Sequence, residues 1–350
     1  MIIDNFKISN DSPCYIIGEL SANHGGDINI AKQSIKTLKE CGANAVKIQT
    51  YTPDTLTINC DNDYFKLNQG SIWDGTTLYK LYQSAYTPWE WQEELFDYAN
   101  KIGITLFSTP FDKSSVDFLE SLNVPAYKIA SFEIRDIPLI EYIASKNKPI
   151  ILSTGVATKN DIYEALSACK KIDNIDIALL KCTSSYPAKL EDSNLDTIPN
   201  MRNTFNTIVG LSDHSVDIEV PITAVALGAK IIEKHFIIDR SIGGPDSSFS
   251  LDKNQFKQMV ESIRKVEKCI GKISYNNEDD LKKHIKFSRS LFVVKDIKKG
   301  EILKEDNLRS IRPGYGMHPK YYYDVIGKKV NKDIKRGTPL NHNDLEQNIK

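Results

Sequence analysis

Two histidines follow short apolar runs that a predicted helix separates. The runs 208–214 and 231–235 end in His214 and His235, and residues 216–228 between them are rich in Ala, Val and Leu. In neighbouring parallel strands both imidazoles would lie at one end of a sheet, and because side chains alternate along a strand, both can point to the same side. They would then meet on one divalent metal ion. The alternative is two separate histidines, each held by a local hydrogen bond, and this unit alone does not decide between them.

Nearly every other predicted strand also ends in polar residues. These residues are Glu19, Ser21, Lys47, Gln49, Ser108, Thr109, Lys128, Ser131, Glu133, Ser153, Thr154, Lys181, Thr183, Ser184, Ser212, Glu233 and Lys234. If Lys47, Lys128 and Lys181 converge on one mouth with these hydroxyl groups, they form a site for a multiply charged anion, a phosphate or a carboxylate. One such lysine alone would more often be a structural ion pair, but several at equivalent strand ends favour a bound anion.

The two histidines also restrict the kind of metal. Imidazoles completed by oxygen ligands suit Mn, Fe, Co or Zn better than Mg. No third His, Cys or close carboxylate triad is obvious, which argues against a catalytic zinc site with three protein ligands. Glu19, Glu133 and Asp246 are candidate acid–base or hydroxyl-binding carboxylates, although each alone is more often a solvated or paired residue.

The order of elements predicts the fold that would gather these residues. Eight apolar strands alternate with helices over roughly 250 residues, which is typical of a (β/α)8 or TIM barrel, an α/β fold. The predicted strands are 15–21, 45–50, 105–109, 126–131, 149–154, 177–183, 208–214 and 231–235. A doubly wound sheet is disfavoured, because no glycine-rich nucleotide turn follows the first strand.

Helical spacing of apolar residues places helices between these strands. The predicted helices are 28–38, 89–101, 114–122, 139–145, 161–171, 216–228 and 251–269. Residues 51–86 are polar with aromatic and turn residues, and they are too many for an ordinary connection. We therefore expect an inserted loop near the functional face.

The last part of the chain has a different pattern. We predict a catalytic barrel domain at 1–272, a linker at 273–288 and a small, mostly β domain at 289–350. In that domain a strand beginning at Ser290 would be followed by a turn at Lys299 and Gly300 and by a second strand. So small a domain is expected to pack on its own barrel or on that of a partner.

Composition excludes several classes of partner. Among 350 residues 41% are hydrophobic, 26% are charged and the net charge is −1, so bulk electrostatics indicate no nucleic-acid or membrane partner. No apolar run approaches the roughly 18 residues that span a bilayer, and the first residues do not resemble a signal peptide. Six scattered cysteines without a Cys-x-x-Cys pair indicate reduced thiols in a cytoplasmic protein.

The motifs at the strand ends resemble, in order, those of the sialic acid synthase family. They are Gly18-Glu-Leu-Ser-Ala-Asn-His24, Lys47-Ile-Gln-Thr50, Phe107-Ser-Thr-Pro-Phe111, Tyr127-Lys-Ile-Ala-Ser131, Leu152-Ser-Thr-Gly155, Lys181-Cys-Thr-Ser-Ser-Tyr-Pro187, Gly210-Leu-Ser-Asp-His214 and Glu233-Lys-His235. The tail from Ser290 resembles that family's antifreeze-like (SAF) domain. Ile72-Trp-Asp74 and Arg312-Pro-Gly-Tyr-Gly-Met-His-Pro319 are similar to the pseudaminic acid synthase branch.

This resemblance implies a reaction. Phosphoenolpyruvate would condense with an open-chain N-acetylated amino sugar, and a nine-carbon 2-keto sugar acid and phosphate would form by C–O cleavage. The resemblance also implies a divalent metal, often Mn, with Mg or Co as alternatives. In the pseudaminic acid branch the sugar is 2,4-diacetamido-2,4,6-trideoxy-L-altrose, and legionaminic or N-acetylneuraminic acid synthases are the alternatives. Ser184 stands where neuraminate synthases typically carry Asn, which moves the preference away from N-acetylmannosamine.

The resemblance further implies roles for individual residues. Phosphoenolpyruvate would be held by Lys47, Thr109, Lys128, Ser131, Ser153, Ser184 and Ser212. The metal would be bound by His214 and His235. The sugar would be surrounded by Glu19, Gln49, Glu133, Tyr186 and Asp246, with Glu133, Glu19 and Lys128 as the catalytic groups. Arg312 would reach the site of a neighbouring protomer in a domain-swapped homodimer.

Two functions outside this family are also compatible with the residues alone. A metal-dependent hydrolase barrel would release phosphate without a sugar acceptor. A non-catalytic carbohydrate-binding protein would use the tail domain and would not need His235.

Overall fold

A computed structural model describes residues 1–68, 70, 72–275 and 278–346 of the chain. The chain divides into two compact units, 1–271 and 272–350. No helix among the described residues is both long enough and apolar enough to cross a bilayer.

The first unit is a closed barrel of eight parallel strands that follow one another around the barrel in chain order, so the predicted (β/α)8 fold is confirmed. A short N-terminal hairpin, which the sequence analysis missed, precedes it and is formed by β1 (Ile2–Ile3) and β2 (Phe6–Lys7). The barrel strands are β3 (Tyr15–Glu19), β4 (Ala45–Thr50), β5 (Thr105–Pro110), β6 (Tyr127–Ile129), β7 (Ile150–Ser153), β8 (Ile177–Cys182), β9 (Ile208–Asp213) and β10 (Ile231–His235).

The barrel strands are apolar on both faces because each face belongs to a different core. Alternate residues such as Ile17 and Leu180 pack in the barrel interior, and their neighbours Ile16 and Leu179 pack against the helices outside. At the barrel interior Gly210 permits close packing, since a Cβ there would lie 2.3 Å from the Ile231 carbonyl oxygen. This two-residue alternation decides which side chains at the strand ends point into the mouth.

Helices cover the outside of the barrel, and every predicted helix is present. They are α1 (Ile28–Glu40), α2 (Pro53–Leu56), α3 (Leu78–Ala85), α4 (Trp89–Ile102), α5 (Lys113–Ser121), α6 (Ile137–Ala144), α7 (Lys159–Lys171), α8 (Thr197–Phe205), α9 (Glu219–Ala226) and α10 (Lys253–Ile270). The sequence analysis missed α8, a short helix that contains Pro199 near its start and buries Ile198, Met201 and Phe205.

The inserted segment 51–86 is more ordered than the loop we expected, because it contains α2 and α3. Within the insertion Lys66 and Thr77 form an antiparallel bridge. The Trp73 indole nitrogen donates a hydrogen bond to the Pro245 carbonyl oxygen at 3.0 Å. Since residue 245 lies beyond the carboxyl end of β10, this contact brings the insertion to the mouth of the barrel.

The second unit has its own apolar core, which includes Leu291, Leu303 and Val330. Its regular elements are α11 (Glu278–Lys283), β11 (Ser290–Val293), β12 (Leu308–Ile311) and α12 (Tyr322–Val325). The predicted strand from Ser290 and the turn at Gly300 are present, but the predicted second strand is reduced to an isolated bridge between Ile302 and Lys329. β11 pairs with β12, and this non-local arrangement brings Leu303 and Val330 into one core.

The N-terminal hairpin closes the end of the barrel opposite the mouth. Ile3 is fully buried and packs in the same cluster as Tyr15 and Ile17, whereas its neighbour Ile2 is 57% exposed. The two adjacent isoleucines therefore form a matched pair for testing this contact.

We predict that Ile3→Ala lowers the free energy of unfolding by about 2 to 5 kcal/mol, because it opens a cavity in the barrel interior. Ile2→Ala should change it by less than about 0.5 kcal/mol. Urea unfolding followed by circular dichroism measures both. Equal losses in the two variants would contradict the placement of the hairpin.

Candidate active site

The inward-facing positions of the strands continue past the apolar interior into a cluster of polar side chains. These residues are Glu19, Lys47, Gln49, Thr109, Lys128, Ser153, Cys182, Ser212, His214, Glu233 and His235. All predicted site residues except Arg312 therefore belong to the barrel unit and lie on these strand ends or on the loops that follow them. Most of the cluster is buried, so its charges interact strongly.

The two predicted metal ligands lie together, with their ring centroids 5.3 Å apart. His214 Nδ1 is 2.9 Å from the carbonyl oxygen of Thr183. A proton on Nδ1 satisfies that carbonyl and leaves the Nε2 lone pair for a metal. Burial holds the pKa of His235 well below its usual range, so this imidazole is neutral at pH 7.

The donor set fits a metal that takes its remaining ligands from outside the protein. His235 Nδ1 is buried without a hydrogen-bond partner among the described residues, and Asp246 Oδ2 lies 3.7 Å away. The described part of the chain holds no group of three or more His, Cys, Asp or Glu side chains that could form a complete site. Two imidazoles therefore need water or substrate oxygens to fill the coordination shell.

Lys47 forms a buried ion pair at the centre of the mouth. Its Nζ lies 2.6 Å from Glu19 Oε2 and donates to Thr109 Oγ1 at 3.0 Å. The Gln49 amide donates to Glu19 Oε1 at 3.1 Å and to Ser21 Oγ at 3.0 Å. Burial raises the pKa of Glu19 to about 7, with Lys47 opposing the shift. Glu19 can therefore hold or release a proton near neutral pH.

Glu233 forms the second ion pair, and the sequence analysis gave this residue no role. Its Oε1 lies 3.7 Å from Lys128 Nζ and accepts a hydrogen bond from Ser212 Oγ at 3.0 Å. Burial would raise the pKa of Glu233, but Lys128 and Lys47 lower it below its usual value. Glu233 and His235 lie two residues apart on β10 and therefore share a face, and this spacing could have identified Glu233 as a site residue.

Small side chains lie close together just after β6, β7 and β8. The Gly155 amide donates to Ser131 Oγ at 3.1 Å, and a Cβ at Gly155 would lie 2.1 Å from Ser184 Oγ. Ser153 Oγ is buried without a partner among the described residues. These hydroxyl groups and the close backbone suit phosphate oxygens.

The predicted convergence of three lysines needs a correction at Lys181. Leu179 packs outside the barrel and Leu180 inside, so Cys182 points inward and Lys181 has the opposite parity. Lys181 Nζ instead donates to Thr183 Oγ1 at 2.6 Å and lines an open pocket with Gly155. Two lysines, not three, therefore occupy inward positions.

Cys182 occupies the inward position that the sequence analysis overlooked. Its Sγ lies 3.8 Å from His214 Nδ1. Burial alone would raise the pKa of this thiol, but the His214 imidazole lowers it to about 7.

Aromatic rings form one wall of the mouth beside the histidines. The Tyr186 ring centroid is 4.3 Å from that of His214, and Phe249 is 5.0 Å from His235. Trp73 of the insertion packs on Tyr186 at 5.4 Å. The sequence analysis named Tyr186 as a site residue but did not name Phe249, and it noted Trp73 only as part of a motif. Burial raises the pKa of their polar neighbour Asp246, with the Ser21 hydroxyl opposing the shift.

Of the remaining predicted residues, Glu133 belongs to the barrel unit and Arg312 to the second unit. Glu133 is in the short 3-10 helix after β6, and one of its carboxylate oxygens is buried without a partner among the described residues. Burial raises the pKa of Glu133 to about 7, with Lys128 opposing the shift. Arg312 is an exposed residue of the second unit, directly after β12, and its role at a neighbouring protomer stays a prediction.

Comparison with known proteins assigns the chain to a family. A model described as the NeuB family matches residues 34–275, and one described as the SAF domain matches residues 288–346. The chain belongs to the NeuB family. The predicted resemblance to sialic acid synthases is thereby confirmed.

NeuB-family relatives match over nearly the whole chain. The chain is 48% identical to the pseudaminic acid synthase of Helicobacter pylori, over 96% of this chain and 99% of that protein. It is 35% identical to the N,N'-diacetyllegionaminic acid synthase of Legionella pneumophila, over 96% and 97%. The crystal structure of N-acetylneuraminic acid synthetase from Leptospira borgpetersenii, in complex with citrate, superposes with a TM-score of 0.72 and 32% identity, over 82% of this chain and 95% of that one.

We predict that Glu233→Gln lowers the free energy of unfolding by about 3 to 5 kcal/mol, because it leaves the buried Lys128 without its carboxylate. Glu261→Gln is the control, since that glutamate is 57% exposed and makes only a surface pair with Lys257. This control should lower the free energy of unfolding by at most about 1 kcal/mol. Urea unfolding distinguishes the two, and equal effects would count against the buried pair.

Proposed function

We propose that this NeuB-family protein is a pseudaminic acid synthase that condenses phosphoenolpyruvate with 2,4-diacetamido-2,4,6-trideoxy-L-altrose. The observation that carries the proposal is one buried mouth that holds two lysine–glutamate pairs, a hydroxyl-lined pocket and two adjacent imidazoles. The higher identity to a pseudaminic acid synthase than to a legionaminic acid synthase supports the choice of sugar. Synthesis of legionaminic or N-acetylneuraminic acid is the alternative.

The inward lysines and the hydroxyl groups are the proposed site of phosphoenolpyruvate. Lys47 and Lys128 offset the phosphate and carboxylate charges, which a water-poor site must neutralise. The hydroxyl donors are Thr109, Ser131, Ser153, Ser184 and Ser212. The wall of Tyr186 and the polar groups of Glu19, Gln49, Glu133 and Asp246 would surround the sugar.

His214 and His235 are the proposed ligands of a divalent metal, and manganese suits two imidazoles completed by oxygen donors. Bound there, the metal would act as a Lewis acid on the sugar aldehyde. Cobalt and magnesium are the alternatives. The neutral state of His235 suits metal binding, because a ligating imidazole must be unprotonated.

The remaining tasks, proton transfer and stabilisation of positive charge, are assigned to carboxylates of the chain. C3 of phosphoenolpyruvate forms a bond to the aldehyde carbon, whose oxygen takes up a proton, and C2 becomes cationic. The Glu133 carboxylate would stabilise that cation. Water then adds to C2 and loses a proton. The bond between C2 and the oxygen that bridges to phosphorus breaks with its electrons leaving on inorganic phosphate, and the C2 hydroxyl loses its proton as the 2-keto group forms. Glu133 and Glu19, both with pKa values of about 7, can accept or supply these protons.

The assembly around the site is also part of the proposal. We infer a barrel domain at 1–272, a linker at 273–288 and an SAF domain at 289–350, in a domain-swapped homodimer of the cytoplasm. Arg312 would then reach the barrel of the partner protomer. Its guanidinium, exposed in its own unit, suits a phosphate or carboxylate.

The proposal is tested by incubating the protein with phosphoenolpyruvate, manganese and each candidate sugar, and measuring phosphate release and product mass. We expect a nonulosonic acid of the mass of pseudaminic acid from the altrose derivative, and no turnover with chelator. Turnover with N-acetylmannosamine alone would rule out the proposed substrate. Phosphate release without any sugar would favour a hydrolase.

We predict that His235→Ala abolishes this turnover and weakens manganese binding, because one of two protein ligands is lost. His284→Ala, at an exposed histidine of the second unit, is the control and should behave as the unchanged protein. Calorimetric titration with manganese accompanies the assay. Full activity of His235→Ala would contradict the metal site.

We predict that kcat rises as the pH passes about 7, because Glu133 acts as a carboxylate and its raised pKa keeps it protonated below that pH. Glu133→Gln should lower kcat by about 10² to 10⁴ and remove the inflection. Glu191→Gln, at an exposed glutamate, is the control and should keep both the kcat of the unchanged protein and the inflection at about pH 7. An inflection that persists in Glu133→Gln would assign it to another group, Glu19 first.

A further inference from the structure

A third buried ion pair lies behind the two histidines, on the outer side of the same two strands. Lys234 Nζ is 2.5 Å from Asp213 Oδ2, and both side chains are almost fully buried. Asp213 directly precedes His214, and Lys234 directly precedes His235. Since side chains alternate along a strand, the pair faces away from the mouth while the imidazoles face into it.

The pair organises the chain immediately after β9. Asp213 accepts hydrogen bonds from the Ser215 amide at 3.0 Å and from its hydroxyl at 2.9 Å. Lys234 donates to the Ser215 and Asp217 carbonyl oxygens. Residues 213–217 are therefore held against β10 by side-chain bonds.

The backbone pairing of the two strands ends at this point. The register runs from Ile232 opposite Leu211 to Lys234 opposite Asp213, and it goes no further toward the mouth. His214 follows the last paired residue of β9, whereas His235 is still paired with Glu19 of β3. The position of His214 relative to His235 therefore depends on contacts other than the ladder between β9 and β10.

Stability alone does not account for charges at these positions. The preceding outward residues, Leu211 and Ile232, are apolar members of the outer core. A buried ion pair is often no more stabilising than well-packed neutral side chains, because desolvation offsets the Coulomb attraction. We therefore attribute a different benefit to this ion pair: it fixes the geometry of the two strand ends.

We propose that Asp213 and Lys234 are positioning residues that set the separation and orientation of the two imidazoles and thereby the affinity for the metal. The inference rests on the proposed metal site. Neither residue contacts the metal, since both lie on the opposite face of the strands. Groups that orient metal ligands typically affect metal affinity by 10- to 100-fold.

The test uses a double variant, Asp213→Asn with Lys234→Met, in the full chain. This change removes both charges, keeps the side-chain sizes similar and leaves no unpaired buried charge. We expect the metal-free variant to keep its melting temperature and its affinity for phosphoenolpyruvate. Its Kd for manganese, measured by calorimetric titration of chelator-treated protein, should rise by about 10- to 100-fold.

A partly exposed ion pair elsewhere in the barrel unit provides the control. Glu120 and Lys148 lie 2.7 Å apart, away from the histidines, so Glu120→Gln with Lys148→Met should leave the manganese Kd unchanged. Lys234→Arg keeps the charge and provides a folded variant if the double variant does not fold. We expect it to raise the Kd several-fold, because the larger guanidinium displaces residues 213–217.

The outcomes separate this inference from the proposed function. Unchanged manganese Kd values in the folded Asp213 and Lys234 variants would overturn the positioning role while the synthase proposal stands. Failure of the unchanged protein to bind manganese or to form a nonulosonic acid would overturn both.

Discussion

The two-residue period of the barrel strands is the constraint on which this molecule depends. It directs alternate residues of all eight strands into one interior, so the polar group at each inward carboxyl end joins the others in a single mouth. A one-residue shift of β10 would turn Glu233 and His235 outward and bring Lys234 inward. The same period places the Asp213–Lys234 pair behind the histidines, so one register determines both the site and its support.

Burial makes the charges of the mouth interdependent. Lys47 and Lys128 are almost inaccessible to water, and a buried ammonium needs a partner. Glu19 and Glu233 supply that partner before any ligand binds, and the arriving phosphate and carboxylate groups of phosphoenolpyruvate would share the two lysines with them. The pKa of Glu19 rises to about 7 while that of Glu233 falls. Two carboxylates of one site therefore have different protonation behaviour, which a reaction that both gives and takes protons requires.

The proposed recognition of the sugar would involve parts of the chain far apart in sequence. The insertion brings Trp73 onto Tyr186, which in turn packs on His214. The Trp73 indole is anchored to the carbonyl oxygen of Pro245, next to Asp246. An aromatic wall with one carboxylate at its edge suits a sugar that carries both apolar and polar substituents. Under the proposed function, substrate choice would therefore depend on a segment that is not part of the barrel's repeating pattern.

The sequence by itself determined the barrel, its strand order and most of the inward residues, because apolar runs, helical spacing and parity are local properties. It did not determine that Lys181 points away from Lys47 and Lys128, since that required knowing which parity of β8 faces the interior. The roles of Glu233 and of the Asp213–Lys234 pair also emerged only from the structure. Nor did the sequence predict the partner of β11, because strand pairing in the second unit is non-local. Contacts between distant segments decide which partner each of these residues meets.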